Sequence, residues 1–293
     1  MVKNKKNILV TGANGQLGKT IKELSHSSSH IFLFKKKKEL DITDFLSFEK
    51  YILNYKIDCI INCAAYTDVD KSESNKKLAE NINHISVNNI AKLCSKYSIQ
   101  LIHISTDYVF DGNKSKPYIE NDLSKPINFY GSTKLRGENK ILSYSLINSA
   151  ILRTSLLYSN FGDNFVKRIS EKIIKGENFS MVDKLYCSPT NASDLTKVIF
   201  TMIDKLKNQR PEIFHFCNSG SCSRYELALE INEILGRKSV IKPSKNITGG
   251  AKRPFYSVLN CCKLNNKFDL DQKDWRTSLK NHFKTNKILV NEF

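Results

Sequence analysis

The stretch that decides the fold lies near the start of the chain and reads Asn7-Ile8-Leu9-Val10-Thr11-Gly12-Ala13-Asn14-Gly15-Gln16-Leu17-Gly18. Its first half is apolar and β-branched, as in a buried strand, and its second half repeats glycine at every third position. Glycine allows a sharp turn and the close approach of a pyrophosphate, whose charge is favoured at the amino end of a following helix. We therefore predict a dinucleotide-binding turn built on Gly12, Gly15 and Gly18; a purely structural tight turn is the alternative.

The rest of the amino-terminal half alternates short apolar strands with helical segments. Strands are predicted at residues 8–10, 31–34, 58–62 and 101–105, and helices at 15–25, 44–54 and 75–97. This order predicts an α/β protein with a Rossmann-type, doubly wound parallel sheet and right-handed crossovers. Ligands of such sheets bind at the carboxyl ends of the strands, where the glycine turn falls.

After residue 152 the alternation loosens, which predicts two domains. We expect residues 1–152 to form a dinucleotide-binding domain and residues 153–293 to form a smaller, irregular substrate-binding domain. An apolar run at 213–217 is a candidate strand that returns to the first sheet.

Composition indicates a globular protein and limits its partners. Hydrophobic residues make up 40% of the 293 residues, and no apolar run reaches the ~18 residues needed to cross a bilayer. None of the eight cysteines belongs to a Cys-x-x-Cys pair, so we expect free thiols in a reducing compartment and no bound metal. The net charge of +17 comes without interleaved aromatic residues, so we expect no nucleic acid partner. Residues 1–7 lack an apolar signal core, so the expected location is the cytoplasm, with no membrane association.

A second motif, Tyr130-Gly131-Ser132-Thr133-Lys134, predicts acid–base chemistry. The i, i+4 spacing stacks Tyr130 and Lys134 on one helix face, where a nearby ammonium is expected to lower the tyrosine pKa. Tyr130 would then donate a proton to a carbonyl oxygen as a hydride reduces it, while Lys134 bonds the nicotinamide ribose. Thr106 follows the strand at 101–105, so its hydroxyl is placed to hold the same carbonyl. His103, within that strand, is expected to pack in the sheet.

The end of the second strand predicts the cofactor. An NAD site usually has an acidic residue there for the ribose hydroxyls, whereas this chain has Phe34 followed by the lysine run 35–38. The lysines would receive a 2′-phosphate, which favours NADPH over NADH, although a merely solvated lysine run is the alternative.

Several segments together resemble the extended short-chain dehydrogenase/reductase superfamily, and within it the sugar-nucleotide reductase branch that acts on dTDP-4-dehydrorhamnose. The segments are 12–18, 40–44, 62–73, 103–112, 130–138, 153–155, 188–190 and 253–254. The most specific is the Ser-Thr-Asp-Tyr-Val-Phe-Asp-Gly string at 105–112. The resemblance implies NAD(P)H-dependent reduction of the C4 keto group of a nucleotide-linked 4-keto-6-deoxysugar to give dTDP-L-rhamnose for surface polysaccharide. It also implies a nucleotide-diphosphate sugar as the binding partner, and a homodimer is possible.

The resemblance also implies roles for individual residues. The catalytic trio would be Thr106, Tyr130 and Lys134. The residues lining the cofactor would be Gly12, Gly15, Gln16, Leu17, Gly18, Asp41, Ile42, Ala64, Ala65, Tyr66 and Thr67, together with Tyr130 and Lys134. The residues on the substrate side would be Thr106, Asp107, Leu156 and Arg253.

Departures from the branch leave alternatives open. Leu156 stands where the branch usually has tryptophan, and Cys187 stands where it has glycine, so another 4-keto-6-deoxyhexose is an alternative substrate. Thr20 replaces the acidic residue with which some members bridge a dimer through a metal, so we expect no metal. A 4,6-dehydratase would carry Asp-Glu after Thr106, but Asp107 is followed by Tyr108. An epimerase and a non-catalytic regulatory subunit, like the β-subunit of methionine adenosyltransferase, are the remaining alternatives.

Overall fold

The computed structural model describes residues 5–245 and 250–285. The remaining parts of the two expected domains, residues 1–4, 246–249 and 286–293, lie outside the described residues. The strands are β1 (Asn7–Thr11), β2 (Ile31–Lys35), β3 (Cys59–Asn62), β4 (Gln100–Thr106), β5 (Ala150–Thr154), β6 (Leu157–Tyr158), β7 (Phe179–Val182), β8 (Tyr186–Cys187), β9 (Thr190–Asn191), β10 (Glu212–His215), β11 (Cys222–Ser223) and β12 (Ile241–Ser244). The α-helices are α1 (Gln16–Leu24), α2 (Phe45–Asn54), α3 (Val69–Ser72), α4 (Lys76–Glu80), α5 (Ser86–Tyr97), α6 (Phe129–Leu142), α7 (Phe165–Ile174), α8 (Ala192–Lys205), α9 (Arg224–Ile234), α10 (Cys262–Phe268) and α11 (Trp275–Thr285).

Six parallel strands form the central sheet in the order β10-β5-β4-β3-β1-β2. The order runs outward from β1 in both directions, so the predicted doubly wound architecture is confirmed. Both faces of the sheet are covered: Ile8 and Val10 pack towards α1 and α8, while Leu9 packs towards α2 and α5. Strands buried on both faces are largely apolar, which makes their central positions recognisable in the sequence.

The register aligns the carboxyl ends of three neighbouring strands. Thr11 at the end of β1 pairs with Asn62 at the end of β3, and Asn62 pairs with His103 in β4. Parallel strands that end together leave their following loops on one edge of the sheet, so three loops converge there.

The helical stretch predicted over residues 75–97 is present, but the sequence did not predict the change of helix type in its middle. α4 and α5 are separated by a π-helical turn, Asn81–Ile85. Within it, the buried Asn83 side chain accepts from the Tyr66 amide at 2.9 Å and donates to the Thr133 hydroxyl at 3.1 Å. A β-carbon on Gly137 would lie 2.3 Å from the Asn83 carbonyl oxygen. The turn is therefore shaped by its packing against α6, which no local pattern encodes.

The carboxyl-terminal part forms a smaller body beside the edge of the central sheet at which the parallel strands end. Three short two-stranded ladders, β6–β9, β7–β12 and β8–β11, surround a core formed with α7, α9 and α11. Trp275 is fully buried in that core. β10 returns to the central sheet beside β5. No helix of the described residues has the length and apolar character needed to span a membrane.

Candidate active site

A cleft of about 690 Å³ opens at the carboxyl ends of β1, β3 and β4, between the sheet and the smaller body. Most of the residues predicted for the site line it. They are Gly12, Gly15, Gln16, Leu17, Gly18, Asp41, Ile42, Ala64, Ala65, Thr67, Thr106, Asp107, Tyr130, Lys134 and Leu156. Among the described residues, no group of three or more metal-binding side chains comes together.

The glycine turn forms one wall of the cleft. Gly12 has a φ of +63°, and a β-carbon there would lie 2.7 Å from the Ala64 amide nitrogen. A β-carbon on Gly18 would lie 2.6 Å from the Gly12 carbonyl oxygen, so helix α1 can pack this closely only on a glycine. Gly15 caps α1 without a side chain, which leaves the first amide groups of the helix without a side-chain cap. The turn therefore fits a dinucleotide pyrophosphate.

Two predicted site residues do not line the cleft. Arg253 donates from Nη2 to Asp70 Oδ2 at 2.7 Å and from Nη1 to the Ala251 carbonyl at 3.0 Å. The Arg253 charge is thus paired with Asp70 in α3, and its place beside the substrate stays a prediction. Tyr66 is held away by Asn83, which bonds both its amide and its carbonyl group. Sequence spacing could not separate Tyr66 from its neighbours, because Ala65 and Thr67 on either side of it do line the cleft.

The predicted catalytic trio comes together at the floor of the cleft. Thr106 ends β4, while Tyr130 and Lys134 lie on one face of α6, whose first turn is capped by Asn128. The Thr106 hydroxyl lies beside the Tyr130 phenol and acts to lower its pKa, while it donates to Asp107 Oδ1 at 3.1 Å. Lys134 Nζ donates to the Ile104 carbonyl at 2.7 Å, directly beneath this pair. A carbonyl oxygen bound here would meet two hydroxyl groups at once.

The expected effect of Lys134 on the Tyr130 pKa is not seen. Burial raises the pKa of Tyr130 well above its usual value, and the Thr106 hydroxyl only partly opposes this. The lysine ammonium points at the Ile104 carbonyl, and burial lowers the pKa of Lys134 to about 8, with the Glu138 carboxylate opposing. The prediction of a lowered tyrosine pKa was wrong because desolvation outweighs the charge of a lysine engaged elsewhere. Tyr130 is therefore fully protonated at neutral pH.

A buried polar chain backs the trio, which sequence reasoning missed. Thr11 Oγ1 donates to Asn62 Oδ1 at 2.6 Å, Asn62 Nδ2 lies 3.0 Å from His103 Nδ1, and His103 Nε2 lies 3.2 Å from Lys134 Nζ. Burial, and then the Lys134 charge, lower the pKa of His103 well below its usual range. The imidazole therefore stays neutral beside the Lys134 ammonium. In the sequence, the signal for this polar chain was that polar residues stand at or near the ends of three adjacent apolar strands.

Three hydroxyl groups donate hydrogen bonds to the Asp107 carboxylate. The carboxylate accepts from Ser257 at 2.6 Å, from Ser155 at 2.7 Å and from Thr106 at 3.1 Å. Burial raises the pKa of Asp107 in spite of these three bonds. Because Ser155 and Ser257 lie after β5 and before α10, the carboxylate ties the smaller body to the catalytic floor.

The cleft also contains charged residues that were not singled out individually. Lys36 and Lys37 directly follow β2, Arg168 pairs with Asp163 next to Gly162, and Arg224 lies near Asp107 and Tyr108. Lys36 and Lys37 belong to the predicted basic run, whereas Arg168 and Arg224 stand alone in the less regular half of the chain and offered no motif.

The fold and site define a nicotinamide-dependent oxidoreductase of the short-chain dehydrogenase/reductase type. The model of the RmlD substrate binding domain family matches residues 6–288, and the chain belongs to this family. It is 34% identical to dTDP-4-dehydrorhamnose reductase of Aggregatibacter actinomycetemcomitans over 94% of this chain and 97% of that one. It is also 34% identical to dTDP-4-keto-6-deoxy-D-glucose reductase of Streptomyces niveus, over 86% and 87%. A crystal structure of dTDP-4-dehydrorhamnose reductase from Bacillus anthracis in complex with NADP superposes with a TM-score of 0.90 at 33% identity, covering 96% of this chain and 99% of that one.

Proposed function

We propose that the protein reduces the C4 keto group of a nucleotide-linked 4-keto-6-deoxysugar, with dTDP-4-dehydrorhamnose as substrate and NADPH as reductant. The observation that carries the proposal is the convergence of Thr106, Tyr130 and Lys134 on one cleft, which begins with a dinucleotide turn. Membership of the reductase family supports the same reaction.

The cofactor would lie along the glycine turn. Gly12, Gly15 and Gln16 would receive the pyrophosphate, and Asp41 and Ile42 would face the adenine end. Lys36 and Lys37 line that end, which supports NADPH because an ammonium pairs well with a 2′-phosphate. The Bacillus anthracis reductase holds NADP in the corresponding fold, whereas NADH remains the weaker candidate.

The side chains of this protein supply the proton side of the reaction. The bound nicotinamide provides the hydride. Thr106 and Tyr130 hydrogen-bond the carbonyl oxygen, and Tyr130 transfers its proton as that oxygen becomes negative. The Lys134 ammonium, held by the Ile104 carbonyl, offsets the negative charge left on the phenolate. Reprotonation of the phenolate then restores the site.

A second candidate is reduction of a different 4-keto-6-deoxyhexose. The Streptomyces niveus relative is named for dTDP-4-keto-6-deoxy-D-glucose. Leu156 lines the cleft with a φ of +38°, a strained conformation for a branched residue that marks the substrate wall as locally specialised. A regulatory subunit is less well supported because the proton donor and its partners are complete, and an epimerase is less well supported because the chain belongs to the reductase family. The proposal also places the protein in the cytoplasm as a possible homodimer.

The decisive experiment is NADPH oxidation by the purified protein, with dTDP-4-keto-L-rhamnose generated enzymatically in the cuvette. Rapid oxidation with dTDP-L-rhamnose as product supports the first candidate. Oxidation only with dTDP-4-keto-6-deoxy-D-glucose supports the second. Turnover without added reductant would instead indicate an epimerase, and tight binding of a synthetase without turnover would indicate a regulatory subunit.

A further inference from the structure

Arg224 lines the cleft but has no part in the proposed chemistry. It is the first residue of α9 and lies near Asp107 and Tyr108. Its guanidinium carbon lies 4.7 Å from the centre of the Phe165 ring, which holds the planar group in place through a cation–π contact. Phe165 therefore contacts one face of the guanidinium group, while the side chain also lines the cleft.

Arg224 differs from the other arginines that are not fully exposed. Arg136 pairs with Glu80, Arg153 with Glu138 and Arg253 with Asp70. Among the described residues, no carboxylate forms an ion pair with Arg224. A partly buried charge without an ionic partner costs free energy. The presence of Arg224 at this place therefore indicates that a ligand supplies the partner.

The nearby Asp107 carboxylate does not fill this role. It acts on Arg224 through its charge, but its oxygens accept hydrogen bonds from Ser155, Ser257 and Thr106. The guanidinium therefore keeps its donors for another acceptor. Because Arg224, Thr106 and Tyr130 line the same cleft, that acceptor would share the cleft with the reacting sugar.

We propose that Arg224 binds the diphosphate of the nucleotide sugar through its guanidinium fork. This inference rests on the proposed function, in which the substrate carries its negative charge on a diphosphate near the reacting sugar. A guanidinium presents parallel N–H groups that match two phosphate oxygens, and Phe165 fixes its plane. Arg168, which also lines the cleft, is exposed and paired with Asp163 at 2.6 Å, so it makes the weaker contribution.

The test compares Arg224→Met with the control Arg210→Met, since Arg210 is an exposed arginine that does not line the cleft. Calorimetric titration with dTDP should show affinity at least tenfold weaker for Arg224→Met and unchanged for Arg210→Met. Titration with thymidine, which lacks phosphate, should give the same affinity in both variants and the parent. Unchanged NADPH binding and thermal melting confirm that Arg224→Met is folded, and Arg224→Lys should recover part of the lost affinity.

The outcomes separate this inference from the proposed function. If Arg224→Met binds dTDP as the parent does, the inference is overturned while the reductase assignment stands. If the parent binds UDP or GDP rather than dTDP, and Arg224→Met loses that binding, the inference holds and the assigned nucleotide is wrong. If the parent binds none of these three diphosphates, the inference is overturned.

Discussion

Arg153 in β5 and Glu138 in α6 form an ion pair that is almost wholly removed from solvent. Nη2 lies 2.6 Å from Oε2, and the side chains are 2% and 0% exposed. The Ser105 hydroxyl, one residue before Thr106, also donates to Glu138. The pair therefore fastens the helix that carries Tyr130 and Lys134 to the two strands beneath it.

Breaking this pair from one side should be strongly destabilising. Arg153→Met leaves the Glu138 carboxylate buried without a counter-charge, so we expect a loss of about 3–5 kcal/mol in the free energy of unfolding. Urea denaturation measures it. The control is Arg136→Met, because Arg136 lies on the same helix as Glu138 and its ion pair is exposed. The Arg136 and Glu80 side chains are 40% and 28% exposed, so their pair should contribute at most about 1 kcal/mol. Equal losses of unfolding free energy in the two variants would contradict the larger contribution of the buried pair.

Tyr130→Phe should remove turnover and leave cofactor binding intact. The phenyl ring is kept while the proton donor is lost, and a positioned acid contributes roughly 10²–10⁴-fold to rate. Steady-state kcat gives the first quantity, and NADPH fluorescence titration gives the second. Thr106→Ser, which keeps the hydroxyl beside the phenol, should retain most activity. A Tyr130→Phe enzyme with undiminished kcat would show that another group donates the proton.

The rate of reduction should fall as pH rises through about 8. Burial lowers the pKa of Lys134 to about 8, so its ammonium is present below that pH and is lost above it. Tyr130, whose pKa is raised, stays protonated over this range, and His103, whose pKa is lowered, stays neutral. A profile of kcat/KM from pH 6 to 10 in the parent checks this, since it reports groups of the free enzyme. In Lys134→Arg the fall near pH 8 should vanish, and a flat parent profile would contradict the role of Lys134.

Lys36 and Lys37 should set the preference for NADPH over NADH. Each lines the cofactor end of the cleft, so Lys36→Ala or Lys37→Ala should raise the NADPH KM by about tenfold, equivalent to ~1.4 kcal/mol, and leave the NADH KM unchanged. Lys38→Ala is the matched control, because Lys38 is exposed and does not line the cleft. The NADPH preference should also weaken as salt rises. Equal changes for both cofactors would mean that the run is merely solvated.

The strands of the sheet were predictable because the apolar pattern that defines each strand lies within a few consecutive residues. β1, β3 and β4 have apolar centres, and their observed bounds differ from the predicted ones by at most one residue at each end. The helix over 75–97 was not predictable in full, since the π-helical turn at Asn81–Ile85 depends on the bonds of Asn83 and on the close approach of Gly137. Both contacts come from residues distant in sequence.

By itself, the sequence determined the strand, the glycine turn and the following helix, and it brought Tyr130 and Lys134 to one helix face, because short-range backbone geometry and helical spacing decide these features. Only the tertiary structure decided the protonation of Tyr130, the isolation of Arg224 in the cleft and the pairing of Arg253 with Asp70. Desolvation and charge depend on which atoms pack around a group. For these residues, segments tens to nearly two hundred positions apart supply those atoms.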